Sequence, residues 1–169
     1  MKKFIEKFGF RSILSTATQA DIDDSENQLN KKIPKDYAEF LLEWNGGIFV
    51  DDPRPIFQVD EFVYRQIVHL HGVGPFPVEL VHLLGEGVQN GYRFDELVPE
   101  RFLAIGCGNT FEILCISTDG DDMGKVYSWY PGGYVSDDDV RTEEFLTLVA
   151  ENFFDFWNNL IEGDTYELN

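Results

Sequence analysis

Ile33-Pro34-Lys35-Asp36-Tyr37-Ala38-Glu39-Phe40-Leu41-Leu42-Glu43-Trp44-Asn45-Gly46-Gly47 is the stretch from which the rest of the chain can be read. Proline has its φ already set and lacks only an N–H that a first helical residue would leave unpaired, so Pro34 predicts a helix start. Asp36 adds negative charge in the first turn, where the helix dipole favours it. Tyr37, Phe40, Leu41 and Trp44 fall at i, i+3, i+4 and i+7, a single apolar stripe that marks a core helix. Asn45-Gly46-Gly47 follows at once, and these residue types reach the left-handed conformation that ends a helix. Ile48-Phe49-Val50 then leaves as a short β-prone run.

The chain has 169 residues, 43% of them hydrophobic, with 15 Phe, 7 Tyr and 3 Trp. That is enough to bury a core without disulfides or metals and excludes a disordered chain. Cys107 and Cys115 lie in apolar strand-like runs and read as buried free thiols of a reducing compartment. No apolar run approaches the roughly 20 residues that span a bilayer, and Met1 to Phe8 lacks the apolar region of a signal peptide, so a cytoplasmic protein is expected. The net charge is −18. Residues 1–35 hold seven Lys/Arg and five Asp/Glu, so residues 36–169, with six and 26, carry −20. Such a field opposes nucleic acid and anionic membrane and speeds encounter with a basic partner, although solubility alone is a sufficient use for it.

Outward from the central helix, residues 1–17 read as a basic lead-in with Phe4, Ile5 and Phe8 on one side of a short helix. Thr18 and Asp21 cap a helix over 18–30 with a thin face of Ile22, Ser25 and Leu29, giving a helical hairpin. Strands are expected at 48–50, 56–59 and 62–70, with Pro53 and Pro55 marking a loop or edge. Val78 to Leu84 suggests one or two helical turns and Gly85 to Gly91 a turn-rich linker. Phe102 to Gly106 and Glu112 to Ser117 form an antiparallel pair, and Lys125 to Tyr130 a further strand. Residues 144–150 alternate as a strand. Asn152 then caps a helix to about 161, with Phe153, Phe156, Trp157 and Leu160 as its stripe. The expected fold is α+β: an N-terminal helical hairpin and a C-terminal helix packed on one face of a mostly antiparallel meandering sheet. The domain spans 18–163, with 164–169 a tail.

These residues resemble the Smi1/Knr4 family, also called the SUKH superfamily. The resemblance rests on Ile33-Pro34-x-Asp36-Tyr37-x-x-Phe40-Leu41 with Asn45-Gly46-Gly47, then His71-Gly72-Val73-Gly74, Pro99 with Phe102 to Gly106, Gly124 to Trp129, and Ala150 to Phe156. The segments occur in family order over about 18–161. The chain departs from the family at Thr110-Phe111, where a glycine and an acidic or amide residue are common, and at Asn152, where serine is common. The resemblance implies a protein that binds other proteins rather than catalysing. Bacterial relatives act as immunity proteins against polymorphic toxins, often nucleases or deaminases; fungal relatives act as regulatory interaction proteins. Pro34, Tyr37, Phe40, Leu41, Trp44, Asn45, Gly46, Gly47, Gly106 and Trp129 read as structure.

No P-loop, GxGxxG or G-x-S-x-G pattern is present, and no cofactor is expected. His69-x-His71 on a strand puts two rings on one face, a spacing metals can use with His82 or a nearby carboxylate as third ligand, but no wider ligand pattern supports it. Asp119-Gly120-Asp121-Asp122 has the start of a calcium loop without the rest of its oxygen spacing, and a hairpin turn explains it equally. What remains is acidic loops: Asp51 and Asp52, Asp60 and Glu61, Asp119, Asp121 and Asp122, and Asp137, Asp138 and Asp139. With Tyr130 and Tyr134 as anchors they form the expected partner-binding surface, and the expected partner is a basic toxin domain rather than nucleic acid or membrane. The alternatives are solvated loop tips and a regulatory module binding an endogenous protein. Oligomeric state is left open.

Overall fold

A computed structural model describes residues 4, 7–61, 63–73, 88–89, 92–108, 112–132 and 141–163. The elements follow in chain order as β1 (Phe10–Arg11), α1 (Gln19–Leu29), α2 (Lys35–Glu43), β2 (Gly47–Phe49), β3 (Ile56–Asp60), β4 (Val63–Leu70), β5 (Val88–Gln89) and β6 (Tyr92–Arg93). After these come α3 (Phe94–Leu97), β7 (Phe102–Gly108), β8 (Ile113–Ser117), β9 (Val126–Trp129), β10 (Leu146–Ala150) and α4 (Phe153–Asn158). The expectations for 78–84, for most of 85–91, for Tyr134 and for 137–139 lie outside the described residues.

Local chemistry accounts for the helix ends. Thr18 and Asp21 form a reciprocal capping box, with Thr18 Oγ1 accepting from Asp21 N and Asp21 Oδ2 accepting from Thr18 N. Asn30 ends α1 in the left-handed conformation at φ 51°. Asn152 caps α4, its Oδ1 accepting from Asp155 N at 2.8 Å. One detail of the sequence reading shifts: Pro34 is the N-cap of α2 rather than its first helical residue. Its fixed φ serves that position too, and its carbonyl takes the first helical bond, from Ala38 N.

The main sheet has eight strands among the described residues, in the order β1-β2-β4-β7-β8-β9-β10 with β3 also on β4, and every pairing is antiparallel. The fold is therefore α+β, as expected. Where the lead-in is described, over residues 7–11, it differs from the short helix expected of it. Phe8 and Gly9 make a turn, Phe10–Arg11 pairs with Phe49 and Ile48, and Phe4 and Phe10 are buried with the core helices. Phe10 sits 5.2–5.9 Å from the rings of Phe40 and Trp157, which is why this end of the chain folds onto the sheet.

The core has two parts, one on each side of the sheet. The larger joins the stripes of α2 and α4: Tyr37 and Phe40 each lie 4.9 Å from Phe153, and Phe40 lies 5.6 Å from Trp157. Such pairs add roughly 0.5–1.5 kcal/mol each beyond simple burial. The smaller holds Leu97, Val98, Phe102, Ala104, Cys107, Ile113, Cys115 and Trp129. Both faces of β7 and β8 are thus covered, and every residue of the two strands is buried. This explains why they read as continuous apolar runs rather than alternating ones.

Candidate functional site

The signature around α2 is a knot that holds the fold. Asn45, at φ 51°, is buried; its Nδ2 donates to the carbonyls of Ser15 (2.8 Å) and Val73 (3.1 Å), and its Oδ1 accepts from Val73 N (2.8 Å). Tyr37 OH donates to the His71 carbonyl at 2.7 Å. Gly72 packs so closely that a Cβ there would lie 2.3 Å from the Asn45 carbonyl oxygen, and a Cβ on Gly46 would lie 2.5 Å from Gly72 N. Two motifs distant in sequence, Asn45-Gly46 and His71-Gly72-Val73, are therefore one structure. Their residues are spent on each other.

The turn between β8 and β9 carries Asp119, Asp121 and Asp122, and the three have different duties. Asp122 faces the protein: Oδ1 receives Arg101 Nη1 at 2.7 Å and lies 2.9 Å from Ser117 Oγ, and Oδ2 receives Tyr127 OH at 2.8 Å. Together these bonds hold its carboxyl below the ordinary carboxylate range against the opposing effect of burial, and burial with the Asp122 bond pushes the Tyr127 hydroxyl up to about 12. Arg101 also grips Glu143 with two bonds, at 2.8 and 3.2 Å. Asp119 closes its own turn, Oδ1 accepting from Gly120 N at 2.7 Å, and Gly120 and Gly124 take φ values of 84° and 92° that favour glycine. Asp119 and Asp121 are exposed. Between them and β9 stands Met123, 48% exposed, a large apolar side chain on a braced acidic turn.

Asp122 acts as a brace within the turn, because Arg101, Ser117 and Tyr127 occupy its oxygens. Sequence reading missed Met123, although a methionine inside a run of Gly and Asp was a visible anomaly. Arg101 was missed because nothing local ties it to a turn some twenty residues later.

Nor do the expected contact residues form one patch. Ile116 pairs with Val126 and Ile113 with Trp129, so the acidic turn and Tyr130 lie at opposite ends of the β8–β9 pair. Tyr130 is half-buried, with the Arg65 guanidinium 5.2 Å from its ring centre. Asp51 and Asp52 are exposed on the connection leaving β2, where a Cβ on Gly9 would collide with the Asp51 carboxylate. Tyr134, Asp137, Asp138 and Asp139 lie outside the described residues.

Further polar groups stand on and beside the sheet, His69 and Glu112 buried among them. His69 and His71 share a face as their spacing predicts, with Nε2 atoms 3.1 Å apart; His69 Nδ1 is 3.3 Å from Cys107 Sγ, and His71 Nδ1 is 3.1 Å from the Ala104 carbonyl. Burial first, then the neighbouring His71, lowers His69 to about 3, so it is neutral at physiological pH. His82 lies outside the described residues, and among those described no group of three or more His, Cys, Asp or Glu is arranged to hold a metal ion. Cys107 and Cys115 are buried free thiols, and burial pushes Cys115 well up.

Glu112 is fully buried at the start of β8. Its Oε1 accepts from Ser128 Oγ at 2.6 Å; Oε2 has no hydrogen-bond partner among the described residues, and Arg65 Nε stands off at 3.7 Å. Burial raises its carboxyl to about 7, against the opposing pull of Ser128 and Arg65. Gly108 makes room for it, since a Cβ there would lie 2.9 Å from Oε2.

No helix among the described residues is long and apolar enough to cross a membrane. No curated protein matches the chain. The SMI1 / KNR4 family (SUKH-1) model matches residues 16–159, a span that contains the α2 signature, the His71-Gly72-Val73 segment locked to it, the β7–β9 strands and the capped α4. On that match, and with the interlocked residues accounting physically for the pattern, the chain belongs to the SMI1/KNR4 (SUKH-1) family.

Proposed function

We propose that this chain is an immunity-type protein that binds and neutralises a cognate polymorphic toxin domain of the nuclease or deaminase class, acting by occlusion rather than catalysis. The observation that carries the reading is the β8–β9 turn. Arg101, Ser117 and Tyr127 hold Asp122, and that brace presents Asp119, Asp121 and exposed Met123 to solvent. A braced turn loses little entropy when a partner docks. Its carboxylates suit a basic phosphate-binding cleft, and they speed encounter, as does the net charge of −18. Met123 supplies the apolar anchor that an acidic rim lacks, in place of the half-buried Tyr130. Asp51 and Asp52 serve as a second, separate acidic contact. Family membership favours the same reading, since relatives of this kind bind proteins.

The test is co-expression with the C-terminal domain of whatever large protein is encoded beside this chain, scoring growth and then co-purification. Rescue of growth through a stable complex is expected, with an association rate that falls as salt rises. A domain that is harmless alone, or that kills despite the presence of this protein, would overturn the proposal and favour a regulatory module binding an endogenous protein.

A further inference from the structure

Among the described residues Glu112 is the only buried acid, and neither the α2 knot nor the β8–β9 turn uses it. An ionised carboxylate taken out of water needs donors on both oxygens. Glu112 has one: Ser128 Oγ donates to Oε1 at 2.6 Å, and Oε2 has no hydrogen-bond partner. The cation beside it, Arg65 of β4, keeps its Nε 3.7 Å from Oε2, beyond hydrogen-bond range. Its guanidinium is engaged elsewhere, with Nη1 donating to the Tyr64 carbonyl at 3.3 Å and the guanidinium carbon 5.2 Å from the centre of the Tyr130 ring. This is the arrangement expected around a protonated carboxyl. The strand between the two residues leaves room for a closer one. β7 runs between β4 and β8, and Gly108 at its end pairs with Ile67 and donates its N–H to the Glu112 carbonyl at 3.0 Å. A Cβ on Gly108 would lie 2.9 Å from Oε2, so a side chain there would crowd the oxygen that Arg65 approaches.

We infer that Glu112 and Arg65 form a proton-operated latch across β7. With Glu112 protonated, the guanidinium rests on Tyr130 and on its own backbone. When Glu112 gives its proton to solvent, the guanidinium closes onto Oε2 and bridges β4 to β8 over Gly108. The travel is roughly 1 Å, from 3.7 Å to the roughly 2.8 Å of a charge-assisted bond. The groups facing Glu112 set the pH at which the latch turns. Ser128 on β9 and Arg65 on β4 favour the ionised form, β7 contributes the backbone of Gly108, and no other charged group among the described residues acts on the carboxyl. Burial opposes them and prevails, so the proton leaves at about 7 instead of 4.5. Arg65 is partly exposed, so the position of a surface cation follows the pH across neutrality.

The test is an NMR titration of the ¹³C,¹⁵N-labelled full chain from pH 5 to 9, following the Glu112 carboxyl carbon, the Arg65 Nε–Hε pair and the Tyr130 ring together. All three are expected to move with one midpoint near neutrality, and exchange of the Arg65 Hε with water should slow severalfold on the alkaline side as its bond to Oε2 forms. Glu112→Gln should hold the latch open, leaving the Arg65 signal at its acidic position throughout. Arg65→Gln removes the cation and should raise the Glu112 midpoint by about one unit or more. Tyr130→Leu removes the competing ring and should lower that midpoint by about half a unit, a change that a fixed guanidinium would not produce. The titration of the parent protein needs no variant to fold. An Arg65 signal that ignores the ionisation of Glu112, one that still titrates in Glu112→Gln, or a Glu112 midpoint unmoved by Arg65→Gln or by Tyr130→Leu would overturn the inference. So would a Glu112 carboxyl that keeps one charge state from pH 5 to 9.

Discussion

Glu112→Gln should convert a flat stability profile in mildly acidic solution into a sloping one. Glu112 is fully buried, and its folded-state value of about 7 lies above the ordinary 4.5. The folded protein therefore keeps a proton that the unfolded chain has lost, and stability falls as pH rises from 4.5 toward 7, at about 1.4 kcal/mol per pH unit. His69 does the opposite. Its folded value is about 3 against an ordinary 6.5, so the unfolded chain holds the extra proton and stability rises with pH up to 6.5 at a similar rate. Between 4.5 and 6.5 the two slopes cancel. The carboxylates held low in the folded state, Asp21, Glu26, Asp122 and Glu143, act below the ordinary carboxylate range and leave this window alone.

In the glutamine variant the His69 slope is the one left among the described groups shifted in this window, so unfolding free energy should climb by about 3 kcal/mol across it. The amide keeps an oxygen for Ser128 and places an unneeded donor beside Arg65, a pH-independent cost of about 1 kcal/mol. The variant is thus expected to be slightly less stable than the parent at pH 5 and more stable by about 2 kcal/mol at pH 8. Urea unfolding followed by tryptophan fluorescence at half-unit steps measures both profiles. Parallel profiles for parent and variant would refute the reasoning, because they would mean that Glu112 binds protons equally in both states.

Other perturbations separate brace from contact. Asp122→Ala leaves Tyr127 OH and part of Arg101 unpaired and should cost about 2 kcal/mol by urea unfolding, with faster amide exchange over 118–125. Asp119→Asn with Asp121→Asn should leave stability within about 0.5 kcal/mol and slow association with the proposed toxin partner; unchanged association at low salt would remove the turn from the proposed interface. Asn45→Ala removes three hydrogen bonds and puts alanine at φ 51°, an expected loss of about 3 kcal/mol, whereas Asn45→Gly, free of the strain, should lose measurably less. Gly72→Ala drives a methyl to 2.3 Å from the Asn45 carbonyl oxygen and should destabilise by about 2 kcal/mol or more, read as a lower melting temperature.

Much of the fold was legible because its causes are local. The Thr18 and Asn152 caps, the Tyr37-Phe40-Leu41 stripe and the left-handed Asn45 each follow from residues within one or two turns of one another. The strand over 146–150 followed from its alternation, and the family from an ordered set of such signals. The candidate site was less legible for the same reason. Asp119, Asp121 and Asp122 are equivalent as letters. Only the folded chain brings Arg101, Ser117 and Tyr127 onto the last of them and so leaves the first two, with Met123, exposed. Register likewise put Tyr130 at the far end from that turn, and pairing with β2 made Phe10 a strand residue. The sequence by itself determined most of the elements, the family and the sign of the field; the tertiary structure alone decided which charges are paired and which are exposed. The reason is that a carboxylate's role depends on which donors meet it in space, and those donors come from distant segments.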